Sequence, residues 1–80
     1  MEAIVEIDLH GKNTYQARIA VDAVLRRIRP GTMRIRLIHG FNSGTALRDM
    51  IRTEYADHPK IRRMETRLGD GMTDLVLREF

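Results

Sequence analysis

The sequence predicts an α/β fold in the form of an α+β two-layer sandwich. Its order is βαβαββ, a four-stranded mixed sheet with both helices on one face. Three observations carry this. Two apolar runs end in the same dipeptide, Ile7-Asp8-Leu9-His10-Gly11 and Leu37-Ile38-His39-Gly40, and a helical pattern follows each. Three of the four predicted strands alternate apolar and polar residues, as strands with one covered face do; a doubly wound sheet would bury both faces. Gly69-Asp70-Gly71 separates the last two strands and predicts a hairpin.

Residues 3–9 alternate as a strand, with Val5, Ile7 and Leu9 on one face and Ile4, Glu6 and Asp8 on the other. His10-Gly11-Lys12 turns the chain. Asn13 and Gln16 have the spacing of a capping box, and the helix they open carries an apolar stripe of Ala17, Ala20, Val21, Val24, Leu25 and Ile28. Pro30-Gly31 ends it. The second strand, 33–38, alternates cleanly, with Met33, Ile35 and Leu37 opposite Arg34, Arg36 and Ile38. A second helix is predicted over 45–56, with Leu47, Met50, Ile51 and Tyr55 buried, and His58-Pro59 closes it because the residue before proline is pushed out of helical geometry. Residues 61–67 form a third strand, interrupted by Arg62-Arg63. The fourth, 72–78, puts Leu75 and Leu77 against the helices and Asp74, Val76 and Arg78 on the other face. The face without helices is thus expected to show Glu6, Asp8, Arg34, Arg36, Asp74 and Arg78 to water.

Residues 1–80 read as one domain, with room for one modest core. Cysteine is absent, which excludes disulfides and zinc-thiolate sites and fits a reducing cytoplasm. No apolar run approaches the roughly 18 residues of a membrane span. The 14 basic residues exceed the 11 acidic ones by a net charge of +3, too little alone to mark a nucleic-acid binder. All but Lys12 and Lys60 are arginine, whose planar fork matches phosphate oxygens in pairs.

His10 and His39 are 29 positions apart, about one strand-helix-strand unit. In a right-handed crossover the two strands run parallel, so both His-Gly turns emerge at one rim of the sheet, where open α/β folds place their ligands. Strand parity puts Asp8 and His10 on the same side, and an aspartate beside a histidine orients the ring for general acid-base chemistry. Parity sends His39 to the helix side with Leu37, unless the following glycine breaks it. Gly40, Phe41, Asn42, Ser43 and Gly44 lie directly before a helix, where backbone amides and the helix dipole favour a phosphate. The Gly-Lys-Ser/Thr ending of a Walker loop is missing, and Ser43 lacks the Gly-x-Ser-x-Gly setting of a nucleophile. Asp8, His10 and His39 as metal ligands lack a fourth partner in the spacing, so no metal site is assigned, although use of a divalent metal stays open.

Taken together, these motifs resemble the small MutS-related (Smr) domain family. The family's Leu-Asp-Leu-His-Gly motif is matched by Ile7-Asp8-Leu9-His10-Gly11, and its His-Gly-x-Gly motif by His39-Gly40-Phe41-Asn42, then Ser43-Gly44 and the helix from Thr45. The resemblance spans nearly the whole chain. It implies a βαβαββ sandwich that binds DNA or RNA, with nicking or RNA-cleaving endonuclease activity in some members. Asp8 and His10 match positions used for cleavage and substrate contact, and His39 and Gly40 match the second motif. Asn42 departs from the motif's glycine, and a side chain there bears on cleavage more than on binding.

The expected function is therefore a nucleic-acid-binding domain with nicking endonuclease activity. Asp8, His10 and His39 carry the chemistry, and Gly11, Lys12, residues 40–44, Arg36 and Arg48 grip the backbone. The alternatives are a binding module without chemistry, docking on branched DNA, ribosomal RNA or a protein, and an open sheet face that makes the chain a weak dimer instead of a monomer.

Overall fold

The structure, a computed structural model, describes residues 3–40, 45–67 and 71–78. Strand β1 (Ile4–Asp8) leads through helix α1 (Thr14–Arg27) to β2 (Arg34–Ile38); helix α2 (Ala46–Glu54) then leads to β3 (Arg63–Arg67) and β4 (Met72–Val76). The element order is the expected one. Four strands form one sheet in the order β1-β2-β4-β3, with β1 parallel to β2 and β4 antiparallel to both of its neighbours.

Local chemistry explains the ends. Asn13 caps α1 in a complete capping box: its side chain accepts from the Gln16 backbone N–H at 2.8 Å, and the Gln16 side chain accepts from the Asn13 N–H at 3.0 Å. The α1 backbone leaves helical geometry at Ile28, two residues before Pro30. The Lys60 ammonium donates to the Leu25 carbonyl at 2.7 Å, which supplies a partner to the negative end of the helix.

Both helices pack on one face. The core joins Ala17, Val21 and Leu25 of α1 and Met50 and Ile51 of α2 to Leu9, Ile35, Leu37, Leu75 and Leu77. Register confirms that these strand residues share a face, since Ile35 lies opposite Leu75 and Leu37 opposite Thr73. Tyr55, 2% exposed, closes the far end by donating its hydroxyl to Asp22 at 2.7 Å.

The helix-free face differs from the expectation in one respect. Asp74 lies on it, as parity requires, but is fully buried, and Val76 beside it is buried too. The reason is strand order: β4 lies inside the sheet, between β2 and β3, so long arginine side chains on its neighbours lie over it. Arg36 forks onto Asp74 through Nε (2.9 Å) and Nη2 (3.1 Å), while Arg34 Nη1 donates both to Asp74 and to Glu65 at 2.8 Å. Arg63 also bonds Glu65. These side chains are less open to water than alternation predicts. They form one network around a buried carboxylate.

Candidate nucleic-acid interface

Parallel pairing brings the C-terminal ends of β1 and β2 to the same rim, on strands about 4.8 Å apart. The first turn is built on Leu9, which is fully buried and continues the ladder by donating its N–H to the Ile38 carbonyl at 2.8 Å. The Lys12 N–H returns to the Leu9 carbonyl at 3.0 Å, closing a four-residue turn. Gly11 has φ +82° and His10 does not have positive φ, the pattern of a type II turn with glycine in its third position. His10 and Lys12 are therefore held exposed on the rim by a turn whose first residue is anchored in the core.

Asp8 acts on this turn in a way that parity did not reveal. Its Oδ1 accepts from the backbone N–H of His10 at 3.0 Å, so the carboxylate holds the main chain of the turn and not the imidazole. The ring of His10 stays exposed beside it.

The second turn is held from the opposite side of the sheet. The N–H groups of His39 and Gly40 both donate to the Gly71 carbonyl at 2.9 Å, and Gly40 adopts φ +72°. His39 keeps strand parity. It is half-buried on the helix side, where Thr73, the residue opposite Leu37, meets it. His39 Nδ1 lies 3.0 Å from the Gly40 carbonyl and Nε2 lies 2.9 Å from Thr73 Oγ1. A carbonyl only accepts, so these partners assign the proton to Nδ1, and in the neutral ring Nε2 accepts from the threonine hydroxyl. Both nitrogens of His39 thus serve the turn.

Phe41, Asn42, Ser43 and Gly44 lie outside the described residues. Beyond them, Thr45 precedes α2 without a side-chain cap; its hydroxyl donates instead to Asp49 at 2.8 Å. The first-turn amides of α2 contrast in this with the fully capped start of α1. Arg48 in this first turn is half-buried, with Nε 3.7 Å from Asp49. Arg36 is set apart from the rim group, because its fork lies on Asp74.

Sequence reasoning missed Gly71 and Thr73. Thr73 carried a signal, being the polar residue at the parity of Leu75 and Leu77. Gly71 carried none beyond its place in a turn. Among the described residues no three of His, Asp and Glu come together as a metal site, and no helix is long and apolar enough to cross a membrane.

A βαβαββ sandwich with an Asp-Leu-His-Gly turn and a His-Gly turn on one rim defines a small class of two-layer α+β domain. Comparison with known proteins makes this specific. The Smr domain family model matches residues 7–78. The crystal structure of the Smr domain of Thermus thermophilus MutS2 is similar with a TM-score of 0.80 and 30% sequence identity, over 94% of this chain and 99% of that chain. No curated protein sequence matches. The chain belongs to the Smr domain family, a family of nucleic-acid-binding, nuclease-like modules.

Proposed function

We propose that the protein binds DNA or RNA along the rim formed by the two His-Gly turns and nicks the phosphodiester backbone there. The observation that supports this most is the exposed His10 ring on a turn fixed by Leu9, Gly11 and the Asp8 carboxylate. Fixing the backbone on both sides of a histidine reduces the entropy lost when the ring meets a substrate. His10 takes a proton from the attacking oxygen or returns one to the leaving oxygen. Lys12 and Arg48 supply the charge that meets the phosphate, residues 41–44, which lie outside the described residues, carry the expected loop contact, and His39, tied to Thr73, positions the second turn. Arg36 serves the sheet in this reading.

Supercoiled plasmid and structured RNA incubated with the wild type and His10→Ala, with and without a chelator, test the assignment. Cleavage by the wild type that His10→Ala loses supports it. Intact substrates with both proteins, or equal cutting, overturn it, and the chelator arms report whether a divalent metal takes part.

A second reading, a nucleic-acid-binding module without cleavage, is favoured by one observation: both nitrogens of His39 have protein partners, which leaves His10 as the free ring among the described residues of the rim. Binding that weakens steeply with salt and is not followed by cleavage distinguishes this reading. A flat salt response points instead to a protein partner, and sedimentation at several concentrations separates monomer from weak dimer.

A further inference from the structure

The cations of this chain are not gathered on the motif rim. Strand and helix directions place the end of α1, the segment before β3 and the end of β4 together at the opposite pole: Met72 pairs with Ile38 at the rim, Val76 pairs with Arg34, and the N–H groups of Leu77 and Arg78 donate to the Met33 carbonyl at 2.8 and 3.1 Å. Arg26, Arg27, Arg29, Lys60, Arg62 and Arg78 are all exposed there. Arg27 bonds the Ala23 carbonyl and Lys60 the Leu25 carbonyl, and no salt bridge is made by any of the six among the described residues. The nearby carboxylates are Asp22, which accepts from Tyr55, Asp57, and Glu54, which pairs with Arg18. Set against these three carboxylates, the six cations leave an excess equal to the chain's whole net charge of +3, so the remaining residues are balanced in charge.

Helix chemistry accounts for part of the cluster. Arg26 and Arg27 in the last turn and Lys60 on the Leu25 carbonyl complement the negative end of α1. It does not account for Arg29, Arg62 and Arg78, which come from three separate segments beyond the helix. Arg29, Lys60 and Arg78 border a cavity of about 310 Å³ whose apolar wall is Ile28, Pro30 and Leu77. A second hollow of about 330 Å³ also borders Lys60, with Asp22, Arg26 and His58 in its lining. Arginines around an apolar wall suit a phosphodiester with a sugar or base attached better than a bare anion.

We propose that this basic pole is a second nucleic-acid contact surface, distinct from the rim, in which Arg29 and Arg78 hold backbone phosphates and the Ile28, Pro30 and Leu77 wall meets a sugar or base. The inference rests on the nucleic-acid reading of the rim. The chain extends no more than 33 Å along its longest axis, so a duplex of roughly ten base pairs, about 34–36 Å long, has the length needed to pass from rim to pole.

The test is fluorescence anisotropy with a 16-base-pair DNA duplex and an RNA hairpin of similar stem length, titrated at several salt concentrations. The proteins are the wild type, the pole variant Arg29→Gln/Arg78→Gln and the rim variant Lys12→Gln/Arg48→Gln. For the duplex, removing two phosphate contacts lowers the slope of log K against log salt by roughly 1.8, and the pole variant is expected to lose about tenfold in affinity near 0.1 M salt. Arg78→Gln alone, with half the change in slope, serves if the double variant unfolds. Amide shifts at Thr32, Leu77 and Arg78 on addition of the duplex give an independent readout. If the wild type binds and the rim variant alone loses slope, the pole inference is overturned and the rim reading stands. If the wild type binds neither probe, the rim reading falls first and this inference with it.

Discussion

Gly71 lies against Gly40 so closely that a β-carbon on Gly71 would sit 2.8 Å from the Gly40 Cα, and the Gly71 carbonyl accepts the N–H of Gly40 at 2.9 Å. Two glycines from distant parts of the chain thus set the second His-Gly turn. The site at the end of β2 is shaped by the residue that opens β4.

Gly71→Ala is therefore expected to destabilise the fold by about 3 kcal/mol, since it adds a backbone clash to the cost of φ +64°. Gly11→Ala separates the two terms. Gly11 has φ +82° with open space around it, so it carries only the conformational term, about 1 kcal/mol. Urea unfolding of both variants checks the difference. Equal losses would mean that the Gly40 contact relaxes freely.

The element order was legible because each boundary is written locally: the Asn13 and Gln16 box, Pro30, Pro59 and the turn before β4. Strand order was not. Nothing within the segment 72–78 says that it inserts between β2 and β3, and that insertion buries Asp74 and Val76 on the face that alternation gives to water. The two turns of the candidate site differ in the same way. The first is encoded in consecutive residues from Asp8 to Lys12, although its carboxylate bonds the His10 backbone and not the ring. The second depends on Gly71 and Thr73, more than 30 residues along the chain, which no local pattern ties to His39.

Asp74 gives an acid-side prediction. Burial raises its carboxyl pKa, but the hydrogen bonds from Arg36 and Arg34 outweigh this and leave it below the ordinary 3.8. A carboxylate with a depressed folded pKa stabilises the protein above the unfolded value and loses that contribution as pH falls through the folded one. Wild-type stability should therefore drop below about pH 4, and Asp74→Asn should remove part of that drop. At pH 7 the variant is expected to lose about 2–3 kcal/mol, because the charged carboxylate that accepts from Arg36 Nε and Nη2 is replaced by a neutral amide, while Arg34 keeps Glu65. Unfolding midpoints between pH 2.5 and 7 measure both effects.

Tyr55 gives the alkaline counterpart. Burial, and then the hydrogen bond to Asp22, push its phenol well above the ordinary 10.0. The folded state keeps the proton that the unfolded chain releases, so the contribution is complete below about pH 10 and declines as pH rises further. Tyr55→Phe should cost about 1–2 kcal/mol at neutral pH through the lost hydrogen bond to a carboxylate. Its stability should also fall less than that of the wild type between pH 9 and about pH 11. A parallel fall in both proteins would place the alkaline transition elsewhere.

Thr73 tests whether His39 is a positioning residue. In the neutral ring the Thr73 hydroxyl donates to Nε2 at 2.9 Å while Nδ1 donates to the Gly40 carbonyl at 3.0 Å, so nitrogen NMR of the wild type should show the Nδ1–H tautomer. Thr73→Val keeps the shape of a fully buried side chain and removes the donor. It is expected to cost about 1 kcal/mol and to release the ring to a mixture of tautomers. If His39 acts through the turn, the variant weakens nucleic-acid binding or cleavage about as much as His39→Gln does, while His10→Ala removes cleavage outright. If Thr73→Val changes the tautomer and leaves both activities at wild-type levels, the anchoring of His39 is structural only.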